Sequence, residues 1–160
     1  MKYFQAFLLL VLAAFHESIL RGATDILGVS IDLPVMLVIV VALHYSEIES
    51  LWFGFATGVV AGAVLLPSMG WQALIMVLLA GGAFHARERL NLDSPLARLM
   101  IIIGGVLVHS IVMIFIVQPA DIVYQIWRFA LPNTLYSAVA ASAYYILRQS
   151  AGSGRKLRST

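Results

Sequence analysis

The sequence has no cysteine and very little charge. Without cysteine there are no disulfides and no thiolate metal sites, and the redox compartment leaves no mark on the chain. Only 11% of its 160 residues are charged, against about 25% in a soluble domain. Hydrophobic residues make up 61%, and the mean hydropathy is +0.94. This excludes an ordinary soluble domain and points to an integral membrane protein with almost nothing outside the bilayer. The net charge is only +2, and the basic residues are spread through connections and a tail, so no nucleic-acid footprint is expected. Catalytic signatures are missing too: no GxSxG, no HExxH and no Walker loop. The paired carboxylates Glu47 and Glu49 sit in a short polar break. No acidic residue lies in the middle of an apolar span, and no polar cluster at one depth is evident. The sequence therefore predicts no enzyme, no metal and no cofactor.

What is present is apolar length. Runs such as Val35–Leu43 and Met100–Val108 are apolar on every side, where barrel strands would alternate, so helices are expected. The chain suits one domain of five or six helices of about 20 residues each. The predicted spans are 3–20, 34–43, 50–66, 71–84, 95–117 and 132–147, giving a transmembrane domain over 1–148. The tail, 149–160, reads as polar, disordered and cytoplasmic. The first span resembles a secretory signal, but Ala13-Ala14 runs into Phe15-His16-Glu17, so a retained helix is predicted. The connection 21–31 carries the loop formers Gly22, Asp25 and Gly28. The segment 85–98 reads as the longest polar loop, closed by Ser94 as N-cap and Pro95 as the first helical residue. The stretch 122–131 is ambiguous; its Tyr124, Trp127 and Arg128 suit an anchor at headgroup level.

The basic residues give an orientation. With six spans, one side holds Lys2, Arg87, Arg89, Arg98, Arg148, Arg155, Lys156 and Arg158, and the other only Arg21 and Arg128. The positive-inside rule then places both termini in the cytoplasm.

The chain is organised around Ser50–Ala73. Gly54, Gly58 and Gly62 recur every fourth residue, which stacks them on one helix face. In a bilayer such a face lets another backbone approach closely, within the fold or in a partner. It is read as a packing seam. Two embedded polar sites also stand out. His109 lies near the middle of the fifth span, where a polar group is a functional candidate by default, although the sequence offers it no acidic partner. His16 and Glu17 end the first span; Glu17 is a candidate for contact with a partner helix or simply snorkels to the interface. Arg87, Arg89 and Arg98 form a cytoplasmic basic loop, solvated or meeting anionic lipid or a protein.

Several motifs resemble the bacterial rod shape-determining MreD family: Asp32-Leu33-Pro34 before an apolar helix, Gly54-Phe55 with Gly58, and Pro67-Ser68-Met69-Gly70-Trp71-Gln72-Ala73-Leu74. Arg87–Arg89 followed by Ser94-Pro95-Leu96, and Pro132-Asn133-Thr134-Leu135-Tyr136, are similar as well. The resemblance covers about Phe4 to Arg148. Family members often carry an acidic residue where this chain has Gly62, so that role passes to no residue here. The resemblance implies a non-enzymatic scaffold of the cell-elongation machinery. It would bind the bitopic protein MreC and support a RodA-type glycosyltransferase with its penicillin-binding protein. It also implies a six-helix fold like the substrate-binding subunit of energy-coupling-factor transporters, which supplies the alternative function: a vitamin-binding subunit. That alternative needs an Ala-x-x-x-Ala face on the first span, where the chain has Ala6–Leu10 and Ala13–Glu17, and an outer polar pocket, for which His16, Glu17, Asp25, Asp32, Asp121 and Gln125 are scattered candidates.

Overall fold

The computed structural model describes residues 3–20, 22, 31–63, 66–90, 94–117 and 121–156, with side chains up to residue 143. Among these residues there is no strand. Helix α1, Tyr3–Phe15, runs into a π-turn at His16–Leu20. Then come α2, Leu33–His44, and α3, Glu47–Gly62. A 3-10 turn at Leu66–Ser68 leads into α4, Met69–Arg89. After α5, Pro95–Val117, the short α6, Ile122–Gln125, a π-turn at Ile126–Ala130 and α7, Leu131–Lys156, form one continuous stretch. Among the described residues these elements make six helical rods. Two of them, Leu66–Arg89 and Pro95–Val117, are long and apolar enough to cross a membrane; Phe4–Leu20 and Leu33–His44 are apolar but shorter.

Several boundaries differ from the sequence expectation, each for a local reason. Helix α3 starts at Glu47, inside the expected polar break, because Glu49 accepts hydrogen bonds from the Ser46 N–H at 3.3 Å and the Ser46 hydroxyl at 2.9 Å. This is the glutamate half of a capping box. The expected loop over 85–98 is mostly helix. Arg87 and Arg89 fall in the last turn of α4, where cations complement the helix dipole. Ser94 accepts the Ala97 N–H at 3.1 Å and caps α5 in the way Ser94-Pro95 predicts. The segment 122–131 is helical, entered through Asp121 at φ 54°, a left-handed conformation that aspartate tolerates better than most residues. Pro132 does not open a new helix. The π-turn just before it widens the spiral, which accommodates a ring that would otherwise press on the carbonyl four residues back. The final helix continues to Lys156, past the expected boundary at 148.

Helix α2 is the centre of the bundle. Its Val35, Val38, Ile39, Val41, Ala42 and Leu43 are all buried, and it packs against α3, α4 and α5. At about 18 Å for 12 residues it is shorter than its neighbours. A residue set this uniformly apolar gives α2 no polar face to turn outward, so it is surrounded. Helix α1 packs on α3, and α7 packs on α5.

Helices α3 and α4 form the tightest pair in the molecule, and the glycine face is the reason. A Cβ at Gly58 would lie 2.5 Å from Ala73 Cα, one at Gly54 2.8 Å from the Met76 carbonyl oxygen, and one at Gly62 2.6 Å from Met69 Cα. No real side chain fits at such distances. The seam is therefore closed inside the chain, against α4.

Candidate functional site

Asp32 stands at the N-cap of α2, yet its side chain does not cap its own helix. The carboxylate turns toward α5 and meets His109: Oδ2 lies 2.8 Å from Nδ1. The Asp32 N–H donates to the Ser137 hydroxyl oxygen on α7 at 3.1 Å. One residue at the start of α2 thus ties three helices together. The sequence expectation that His109 lacks an acidic partner is corrected here: Asp32 supplies it from the end of a different helix.

With an ionised carboxylate accepting, Nδ1 carries the proton and donates, which leaves Nε2 as the acceptor of a neutral ring. His109 is 5% exposed, and its Nε2 has no hydrogen-bond partner among the described residues. A carboxylate-oriented imidazole with a free second nitrogen is equipped to hold or accept a proton. Ser110 is its sequence neighbour, and no described group of His, Cys, Asp or Glu residues is fit to hold a metal ion.

Polar residues from three helices also share a depth. Arg87 at the end of α4 donates to the Tyr45 carbonyl at the end of α2 at 2.9 Å, so the C-terminal ends of these two helices lie together. The Gly58–Ala73 contact puts the neighbouring Thr57 at the level of Gln72. Asp32, His109 and Ser137 form a polar layer joined by the two hydrogen bonds of Asp32, and Thr57 and Ser137 are almost wholly buried. The Thr57 hydroxyl has no partner among the described residues. The expectation that no polar cluster exists at one depth is corrected by this layer. Asp32, His109 and Ser137 are not legible as a set, because each comes from a different helix.

The remaining candidates separate. Glu17 and His16 are buried, not snorkelling: Glu17 is 8% exposed and His16 2%. The π-turn swings both inward, with His16 Nδ1 3.8 Å from Glu17 Oε1. Both His16 ring nitrogens lack hydrogen-bond partners among the described residues. Arg87 is held by the Tyr45 carbonyl and lies 5.9 Å over the Phe84 ring. Arg89 is exposed, and Arg98 is half-buried in the first turn of α5. Gln125 and Asp121 sit at the start of the last rod, and Asp121 is exposed. Arg21, Asp25 and Gly28, and the tail beyond Lys156, lie outside the described residues.

Three surface grooves are formed among the described residues, and apolar residues and glycines line all of them. Two share Phe55 and Val77 and together follow the α3–α4 hairpin from Ile48 to Leu66. The third lies between α4 and α5.

The fold and site define an all-helical bundle with two helices apt for a membrane and a buried carboxylate–histidine tie. Comparison with known proteins finds no matching family model, no similar curated protein and no similar solved structure.

Proposed function

We propose that this chain is a multi-pass scaffold of the bacterial inner membrane, with six spans and both termini cytoplasmic. It acts without catalysis in the rod-elongation machinery, binding an MreC-like bitopic protein and supporting a RodA-type glycosyltransferase and its penicillin-binding partner. The observation that carries this reading is the paired groove along α3 and α4. Its lining of Ile48, Leu51, Trp52, Phe55, Val77 and neighbours is apolar nearly from one end of the hairpin to the other. A single transmembrane helix needs a groove of that length and chemistry. Large apolar side chains stay exposed on the same surface, Trp52 at 69% and Phe55 at 48%, which is the state of a surface that meets lipid or a partner. The motif resemblance to the MreD family supplies the identity of the partners.

The polar layer around Asp32 and His109 favours a second reading, a vitamin-binding subunit of a transporter. One purification separates the two. The tagged chain is isolated in mild detergent and its companions are identified by mass spectrometry. Elongation proteins support the scaffold; ATPase subunits or a bound vitamin support the transporter and overturn the scaffold.

A further inference from the structure

The α4–α5 groove differs from the one on the α3–α4 hairpin in length and in what stands at its mouth. It encloses about 380 Å³ and runs along α4 from Ile75 to Ala86 and along α5 from Ile101 to Val112. On either helix that is about 17 Å at 1.5 Å per residue. One leaflet of a hydrocarbon core about 30 Å thick is about 15 Å deep. The groove therefore matches an acyl chain and stops short of what a spanning helix would need. Two glycines keep it open: neither Gly82 nor Gly104 has any heavy atom within 4 Å of where a Cβ would stand.

Basic residues stand at one end, with the exposed Glu88 next to Arg89 in the chain. Arg89 follows Ala86 by three residues, and Arg98 precedes Ile101 by three, so each shares a helix face with the groove residue at its mouth. Arg89 is exposed and makes no ion pair with a described residue. Arg87 points elsewhere, onto the Tyr45 carbonyl. His85 is also occupied, its Nδ1 2.9 Å from the Gly81 carbonyl of its own helix. The Arg89 guanidinium above a leaflet-deep apolar slot is complementary to a phosphate headgroup above an acyl chain.

We propose that the α4–α5 groove is a binding site for an anionic phospholipid of the cytoplasmic leaflet. One acyl chain lies between Leu79 and Val108, and Arg89 faces the phosphate. The site rests on the membrane reading given above but not on the elongation partners.

The test uses the intact chain in mild detergent, titrated with phosphatidylglycerol or with phosphatidylethanolamine of the same acyl composition, with bound lipid read by native mass spectrometry. Wild type is expected to retain one phosphatidylglycerol in preference to phosphatidylethanolamine. Arg89→Gln should weaken phosphatidylglycerol by about fivefold and leave phosphatidylethanolamine unchanged. Gly104→Leu should fill the slot and remove both. Equal retention of the two lipids overturns the site, as does a monodisperse Gly104→Leu that still holds phosphatidylglycerol. A two-chain species that Gly104→Leu splits would instead make the groove an interface between copies. If Gly104→Leu does not fold, the Arg89→Gln selectivity decides alone. A chain that does not fractionate with membranes overturns the membrane reading itself; a membrane-embedded chain without lipid preference overturns only the lipid site.

Discussion

Asp32 and His109 are 77 positions apart in the chain and 2.8 Å apart in the bundle. The bond joins the beginning of α2 to the interior of α5, and the Asp32 backbone extends the tie to Ser137 on α7. A hydrogen bond to a charged group contributes about 1.5–3 kcal/mol, and one between neutral groups about 1 kcal/mol. His109→Ala is thus expected to lower stability by about 1.5–3 kcal/mol and Ser137→Ala by about 1 kcal/mol. Thermal unfolding in detergent reads both. In the cycle built from Asp32→Asn and His109→Gln, a coupling below about 0.5 kcal/mol would show that the pair does not act as a unit.

The same pair raises the question of proton movement. A relay needs successive groups, and the structure brings His109 Nε2 no described hydrogen-bond partner to continue the path. Liposomes carrying the purified protein should show no proton flux beyond that of empty liposomes. A flux that His109→Ala abolishes while leaving the protein monodisperse would convert the tie into a transport element.

The glycines divide by what stands opposite them. A Cβ at Gly58 would lie 2.5 Å from the Ala73 backbone, which has nowhere to move, so even Gly58→Ala should cost about 1–3 kcal/mol through overpacking. Gly58→Leu should prevent recovery of monodisperse protein, and Val59→Leu, at the edge of the outer groove, should not. Gly104→Ala meets open space and should stabilise α5 by up to about 1 kcal/mol through helix propensity. Size-exclusion profiles and melting temperatures check the ordering; a tolerated Gly58→Ala would contradict the seam.

Part of this architecture is legible in the chain. Spacing at every fourth residue is a local property of one helix, so Gly54, Gly58 and Gly62 announce a close-packed face before any partner is known. Ser94-Pro95 announces a helix start for the same reason. Ser46-x-x-Glu49 is a capping-box signature in a segment whose Glu47 and Glu49 equally suit a polar break, and the hydrogen bonds of Glu49 to Ser46 settle it as a helix start. The Asp32–His109 bond is a different kind of fact. It depends on how α2 and α5 settle against each other, which no local pattern encodes. The π-turns at His16–Leu20 and Ile126–Ala130 are similar. Each re-aims side chains through a change in helical pitch that composition does not reveal.

The topology has a simple check. Reporter fusions placed after Arg148 and within Pro67–Gly70 should report opposite sides of the membrane, with the tail cytoplasmic. Both on one side would remove the six-span arrangement and the orientation that follows from the basic residues.

The most direct test of the scaffold account is photocrosslinking from inside the groove on α3 and α4. A photoreactive amino acid at Phe55, which lines both halves of that groove, is compared with one at Val108 in the α4–α5 groove. The account predicts that Phe55 captures a single-span membrane protein of the elongation machinery and that Val108 captures lipid and no protein. Capture of that protein from Val108 and not from Phe55, or of no protein from either, would contradict it.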